Sequence, residues 1–277
     1  AQPVWVCVLF FGAVMGVSLS VNRITGILGK IFAPILLFFL ALLIFPGLFS
    51  GASVNIPPTI LEDRFYVGFH EGYQTMDVLA GLIFAVLLIA GANRKSYTHI
   101  NERVEVVVKA ALLSAFLMVL VYSGLFYLGA HTTVDLASTT RSSLLIHIAT
   151  QNFGSNGIYL ISILMVLACL TTAIALTAGS ANFFERLTKG KLGYIEGVIS
   201  ITLVSTLLAI IGVDGIIDYA SATLNFIYPV TLVLILSVLL FGRIIHNQKP
   251  YFITLVVTMF ISFIRILIKW FPEEEFF

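Results

Sequence analysis

The chain has 277 residues, of which 59% are hydrophobic and only 10% are charged, and its formal net charge is +1. A soluble domain carries about 25% charged residues, so this composition leaves too few charges to cover a water-facing surface. The near-neutral charge gives no reason to expect nucleic acid as a partner. The composition therefore predicts a polytopic membrane protein surrounded by a lipid bilayer, and the length of its apolar runs predicts an all-α fold.

Eight apolar runs approach or exceed the length of about 20 residues that a membrane-spanning helix needs. In chain order they are residues 4–21, 31–49, 73–92, 105–129, 157–183, 194–213, 219–241 and 251–270. Their uniform hydrophobicity excludes barrel strands, which alternate with a period of two. Residues 51–72 and 132–156 are predicted to be loops, and apolar spacing within residues 142–150 predicts a short surface helix in the second loop.

Lysine and arginine are concentrated in alternate connections between these runs. The basic connections lie near residues 23–30, 94–109, 186–191 and 243–249, whereas the intervening ones are acidic or carry a single base. By the positive-inside rule the basic connections face the cytoplasm, which places Ala1 outside. Because no signal peptide is visible, we expect further helices to precede Ala1 in the intact protein.

Common enzyme signatures are not found in the sequence. It contains no HExxH or GxSxG motif, no aspartate-rich diphosphate motif and no glycine-rich phosphate loop. His70 and Glu71 are adjacent, but no second histidine lies at helical spacing for a metal site. Cys7 and Cys169 lie in apolar runs and are interpreted as packing residues. We therefore expect no catalytic residues and no enzyme activity.

The first polar interruption is the segment Gly72-Tyr73-Gln74-Thr75-Met76-Asp77, where the third apolar run begins. An ionisable group inside a membrane helix costs about 2.5–3.5 kcal/mol on insertion scales. If the segment is unwound, it exposes backbone groups and a helix terminus, with which broken transporter helices bind ligands. The alternative is that Asp77 only caps or anchors the helix at the interface.

The second polar interruption is Ala168-Cys169-Leu170-Thr171-Thr172-Ala173, in the middle of the fifth apolar run. Paired hydroxyls and a freed backbone carbonyl can bind a hard cation such as Na⁺, because hard cations prefer oxygen ligands. The alternative is that these small and hydroxyl residues pack helices together and hydrogen-bond to the preceding turn.

Around these residues the sequence resembles a known family. The stretch GYQTMDVLAGLIFAVLLIAGAN resembles the signature of bacterial branched-chain amino acid:cation symporters, and the likeness extends to NRITGILGKIFAPILLFFLALLIFPG, ACLTTAIALTAGSANFFE and NFIYPVTLVLIL. That family is similar in architecture to the LeuT-type inverted-repeat transporters. The resemblance implies one transporter domain over residues 1–277, with about eight transmembrane helices. They would be roughly the fourth to eleventh helices of a twelve-helix carrier, without its first helices.

The resemblance also implies a function for the intact protein. This is symport of leucine, isoleucine and valine across the bacterial cytoplasmic (inner) membrane by alternating access, with Na⁺ as the coupling ion and no other cofactor. The substrate-binding residues would be Gly72, Tyr73, Gln74, Thr75 and Asp77. The Na⁺ ligands would be the Ala168 carbonyl and the Thr171 and Thr172 hydroxyls. Two alternatives remain open: a permease of the same fold for another solute driven by H⁺, and a non-transporting scaffold or membrane-enzyme subunit.

Overall fold

The computed structural model describes residues 4–20, 24–49, 61–94, 100–131, 141–211, 213–242 and 249–270. Within these ranges the chain is helical apart from short turns, which confirms the all-α prediction. The helices are α1 (Val4–Ser18), α2 (Ile24–Ile27), a π-helical segment π1 (Leu28–Phe32), α3 (Ala33–Phe49), α4 (Leu61–Gln74), α5 (Asp77–Arg94), α6 (Ile100–Ala130), α7 (Arg141–Phe153), α8 (Asn156–Leu187), α9 (Tyr194–Ile211), α10 (Val213–Phe241) and α11 (Lys249–Trp270).

Four helical stretches in the described ranges are long and apolar enough to cross a membrane. They are Leu28–Phe49, Asn101–Ala130, Asn156–Leu187 and Thr223–Phe241. The bent pair Phe65–Gln74 and Asp77–Ile89 makes a fifth if it is counted as one span. Three shorter apolar helices, Val4–Ser18, Tyr194–Ile210 and Lys249–Ile264, lie at other predicted runs. Four or five spans are therefore supported, and the number eight stays a prediction.

Residues 61–72, predicted from the sequence to be part of a loop, are helical and form most of α4. Aromatic pairs four residues apart contribute to this helix: Phe65 stacks on Phe69 with ring centroids 6.3 Å apart, and Tyr66 stacks on His70 at 6.2 Å. Side chains four residues apart face each other on a helix, and such pairs stabilise it. The loop prediction was wrong for residues 61–72, because the prolines that disfavour a helix, Pro57 and Pro58, precede them. Residues 50–60 lie outside the described ranges.

The short helix predicted within residues 142–150 is confirmed as α7, but it is not a purely surface element. Ile148 and Ala149 are buried. At Gly157, near the start of α8, an added Cβ would collide with the Ala149 carbonyl oxygen. The glycine therefore lets the backbone of α7 lie directly against α8, and α7 belongs to the packed part of the protein.

Helix α8 connects the two hydrophobic cores of the described chain. Its first half packs with α3, α6 and α7, and its second half packs with α1, α2 and α9. The buried residues of the first core are Leu43, Ile44, Leu128, Ile148, Ala149, Ile161 and Leu164, and those of the second are Val14, Ile24, Ile174, Ala178, Ala181, Tyr194 and Val198. The hydroxyls of Thr171 and Thr172 lie on α8 between these two cores.

Helix α5 packs directly on α8 at Gly179. An added Cβ at this glycine would collide with Ile83 Cγ2 of α5, and it would lie 3.5 Å from Leu87 Cγ. A residue without a side chain is therefore required for this approach. The contact places the helix that begins at Asp77 beside the helix that carries the two threonines.

We expect Gly179→Ala to lower the free energy of unfolding by about 1–3 kcal/mol, the usual cost of forcing an extra methyl into a packed interface. Thermal unfolding of the purified protein in detergent measures the effect. Gly12→Ala on α1 is the matched control, because no described atom lies within 4 Å of the added methyl group. Equal melting temperatures for the two variants would contradict the tight contact between α5 and α8.

Candidate substrate and cation sites

The helical path between α4 and α5 is broken at Thr75 and Met76. The two helices differ in direction by 42°, and Met76 has a φ of 52°, in the left-handed region. That conformation costs a non-glycine residue roughly 1–3 kcal/mol, and such strain is concentrated at functional sites. The break lies within the first polar interruption, residues 72–77, but is confined to residues 75–76, because Gly72, Tyr73 and Gln74 form the last turn of α4.

The polar groups at the break form some of their hydrogen bonds with one another. The Gly72 carbonyl accepts hydrogen bonds from the Thr75 hydroxyl at 2.8 Å and from the Thr75 backbone N–H at 3.3 Å. The Met76 N–H donates to the Tyr73 carbonyl at 3.3 Å. The lone pairs of the Thr75 hydroxyl remain able to accept, whereas its proton is already used. Gln74 is exposed at the end of α4.

Asp77 is the first residue of α5, and its side chain points to another helix. Its Oδ2 atom accepts a hydrogen bond from the Tyr122 hydroxyl of α6 at 2.8 Å. Within the described ranges no backbone N–H of α5 donates to this carboxylate. The alternative that Asp77 is a side-chain cap of its own helix is therefore not observed. Tyr122 was not singled out from the sequence.

Tyr73 packs against a second residue that the sequence analysis did not assign to the site, Tyr228 of α10. The two rings meet edge to face, with centroids 4.8 Å apart and an interplanar angle of 82°. Tyr228 is only 5% exposed. Aromatic pairs of this geometry contribute about 0.5–1.5 kcal/mol beyond simple burial. The contact attaches the end of α4, just before the break, to α10.

The second polar interruption lies on an unbroken helix. Helix α8 continues through residues 168–172, and the Thr171 hydroxyl donates to the Ala168 carbonyl at 2.9 Å. This is the hydrogen bond to the preceding turn that the sequence left open as an alternative. The carbonyl therefore remains in the helix instead of being freed by unwinding.

Thr171 and Thr172 nevertheless face a pocket of about 260 Å³. The pocket is lined by Leu28, Ala33, Leu36, Phe84, Thr171, Thr172 and Ala175. These residues come from π1, α3, α5 and α8, and apart from the two threonines their side chains are apolar. The two hydroxyls are therefore polar groups on an otherwise apolar wall.

The oxygen atoms at this position are of the type that a hard cation prefers. Two hydroxyls and one carbonyl supply three neutral oxygens, whereas hard cations such as Ca²⁺ and Mg²⁺ take about six or more. Any Na⁺ site here needs further ligands. In the described part of the chain, no group of three or more His, Cys, Asp or Glu side chains could hold a metal ion.

Helix α5 connects the two interruptions. It begins at Asp77, and Phe84, which lines the pocket beside Thr171 and Thr172, lies seven residues further along. At 1.5 Å per residue, this separation is about 10 Å along the helix axis. One continuous helix therefore runs from the break to the threonine pocket.

Long apolar helices, a polar break between α4 and α5 and a hydroxyl pair facing a pocket on α8 define a polytopic helical membrane protein with candidate binding sites. The profile of the family described as "Branched-chain amino acid transport protein" matches residues 3–272. The chain belongs to this family.

Three curated relatives illustrate the similarity. The branched-chain amino acid permease BrnQ of Bacillus subtilis (strain 168) is 29% identical over 231 residues, which cover 82% of this chain and 52% of the permease. Putative branched-chain amino acid carrier proteins of Staphylococcus haemolyticus (strain JCSC1435) and Staphylococcus aureus (strain USA300) are each 28% identical over 300 residues, covering 95% and 96% of this chain and 67% of either carrier. The chain thus spans about half to two thirds of the length of these relatives. No solved structure matches it.

Proposed function

We propose that the protein is a secondary active transporter of branched-chain amino acids in the cytoplasmic membrane of a bacterium, with symport of Na⁺ and alternating access. Membership of the family and the names of the curated relatives support the substrate class. The observation that carries the site is the 42° break between α4 and α5, with left-handed Met76 and the carboxylate of Asp77 beside it.

The break offers groups for both ends of a zwitterionic amino acid. The Asp77 carboxylate is complementary to the ammonium group. The first N–H groups of α5 and the positive end of its dipole are complementary to the substrate carboxylate. Thr75 and the backbone of Gly72, Tyr73 and Gln74 complete the polar surface. The aliphatic side chain of the substrate requires only apolar neighbours, which the surrounding helices supply.

Coupling to Na⁺ is proposed at Thr171 and Thr172, with the Ala168 carbonyl and with ligands from outside these residues. Na⁺ can bind a lone pair of the Thr171 hydroxyl while the proton of that hydroxyl remains donated to the Ala168 carbonyl at 2.9 Å, because a hydroxyl carries one proton and two lone pairs. Because α5 runs from this pocket to Asp77, Na⁺ and the amino acid can favour the same conformation. That shared preference is all that thermodynamic coupling requires.

The function is tested with the protein expressed from its complete reading frame and reconstituted into liposomes. We expect an inward Na⁺ gradient to drive accumulation of labelled leucine, and unlabelled isoleucine and valine to compete while lysine does not. Leucine accumulation that depends on a proton gradient and not on Na⁺ would contradict the proposal that Na⁺ is the coupling ion. Failure to accumulate or retain any branched-chain amino acid would contradict transport itself.

Thr171→Ala and Thr172→Ala are each expected to raise the Na⁺ concentration for half-maximal leucine uptake about tenfold, because losing one ligand to a cation costs roughly 1.4 kcal/mol or more. Uptake measured against Na⁺ concentration gives this value. Thr206→Ala on α9 is the matched control, because its hydroxyl also bonds back to its own helix, to the Thr202 carbonyl at 2.7 Å. Unchanged Na⁺ dependence in both Thr171 and Thr172 variants would refute the assignment.

A further inference from the structure

Tyr122 lies 45 residues from Asp77 in the sequence, yet its hydroxyl donates to the Asp77 carboxylate at 2.8 Å. The side chain is 47% exposed, so packing alone does not explain its orientation. Hydrogen bonds to an ionised acceptor are shorter and about twice as strong as neutral ones. The contact therefore fixes one oxygen of Asp77 relative to α6.

The other carboxylate oxygen remains for a ligand. In the described ranges Oδ1 of Asp77 has no hydrogen-bond partner, and the residue before it, Met76, has left-handed backbone. A carboxylate can accept several hydrogen bonds, so the oxygen that is not bonded to the phenol can accept a hydrogen bond from a ligand. A primary ammonium group can donate that hydrogen bond.

We propose that Tyr122 is a positioning residue of the substrate site. It holds the Asp77 carboxylate in one orientation, so that Oδ1 receives the α-ammonium group and the site selects α-amino acids over analogues without the amino group. This inference rests on the proposed transport function and adds to it a residue on α6 and a basis for selectivity.

The test compares uptake kinetics of Tyr122→Phe, Asp77→Asn and the double variant in liposomes. Tyr122→Phe keeps the ring and loses the hydroxyl, so we expect the KM for leucine to rise about tenfold while kcat changes less than twofold. The double variant should be no worse than Asp77→Asn, because Tyr122 acts through that carboxylate. Tyr122→Trp, which restores an N–H donor, should recover part of the affinity.

The selectivity between leucine and an analogue without the amino group provides a second measurement. A purely structural role of Tyr122 would not change this selectivity. Competition by 4-methylpentanoate, which is leucine without its amino group, should be equally weak in the wild-type protein and in Tyr122→Phe. Tyr127→Phe, a hydroxyl deletion further along α6, is the matched control and should leave the KM unchanged. Thermal unfolding of each variant checks that it is folded.

Three outcomes would overturn the inference while leaving transport intact: a wild-type KM in Tyr122→Phe, losses that add in the double variant, or an equal loss of affinity for leucine and 4-methylpentanoate. A wild-type protein that takes up no leucine would overturn both this inference and the proposed function.

Discussion

Asp77→Asn is expected to raise the KM for leucine uptake about 10- to 100-fold. The amide keeps the size of the side chain and can still accept a hydrogen bond from Tyr122, but it removes the negative charge that would face the substrate ammonium group. A hydrogen bond to a charged group contributes about 1.5–3 kcal/mol, and each 1.4 kcal/mol is a factor of ten in binding. Initial uptake rates in liposomes over a range of leucine concentrations give the KM directly.

Two controls separate this effect from a general loss of charge. Glu102→Gln neutralises an exposed carboxylate at the start of α6 and should leave the KM unchanged. Asp77→Glu keeps the charge on a longer side chain and should fall between the wild-type protein and Asp77→Asn. If Asp77→Asn transports leucine with wild-type affinity, the carboxylate is a structural group and the proposed substrate site is wrong.

Met76→Ile is expected to reduce leucine uptake by at least tenfold, whereas Met76→Asn should retain most of it. Met76 has a φ of 52°. A β-branched residue is a genuine outlier in the left-handed region, whereas asparagine and glycine adopt it readily. Isoleucine therefore favours a regular turn at residues 75–76, which would join α4 to α5 and remove the break.

The pair of variants provides its own control, because isoleucine resembles methionine more closely in hydrophobicity than asparagine does. If hydrophobic packing of residue 76 were its main role, Met76→Asn would be the more damaged variant. Uptake rates and thermal unfolding measured on both proteins distinguish the two cases. Equal activity of the isoleucine and asparagine variants would show that the left-handed conformation is not required.

The sequence predicted the helices well because one physical signal dominates in lipid. Each predicted apolar run overlaps a helix in the described ranges, since a chain that leaves water must satisfy its backbone hydrogen bonds internally, but the run 73–92 is divided between α4 and α5. The position of the break was also predictable, because Thr75 and Asp77 are polar residues at the entrance to an apolar run. Its exact extent was not, because the left-handed backbone of Met76 has no distinct sequence signal.

The partners of the site were beyond the reach of the sequence for a different reason. Tyr122 reaches Asp77 from another helix, and Tyr228 reaches Tyr73 from α10. Tyrosine is common in membrane helices, so neither residue stands out unless the relative rotation of the helices is known. The lining of the threonine pocket was unpredictable for the same reason. Leu28 and Leu36 are ordinary apolar residues in the sequence, and only the fold shows that they line a pocket with Thr171.

The π-helical segment between α2 and α3 makes the pocket sensitive to chain length. The Ala33 N–H donates to the Leu28 carbonyl across five residues, and both Leu28 and Ala33 line the pocket. A π turn holds an extra residue compared with α-helix. Deleting one residue there would let α2 and α3 join in regular register and would rotate Leu28 by about 100° relative to α3. A single-residue insertion or deletion, rather than a change of residue type, is therefore the simplest way to reshape the wall opposite the two threonines.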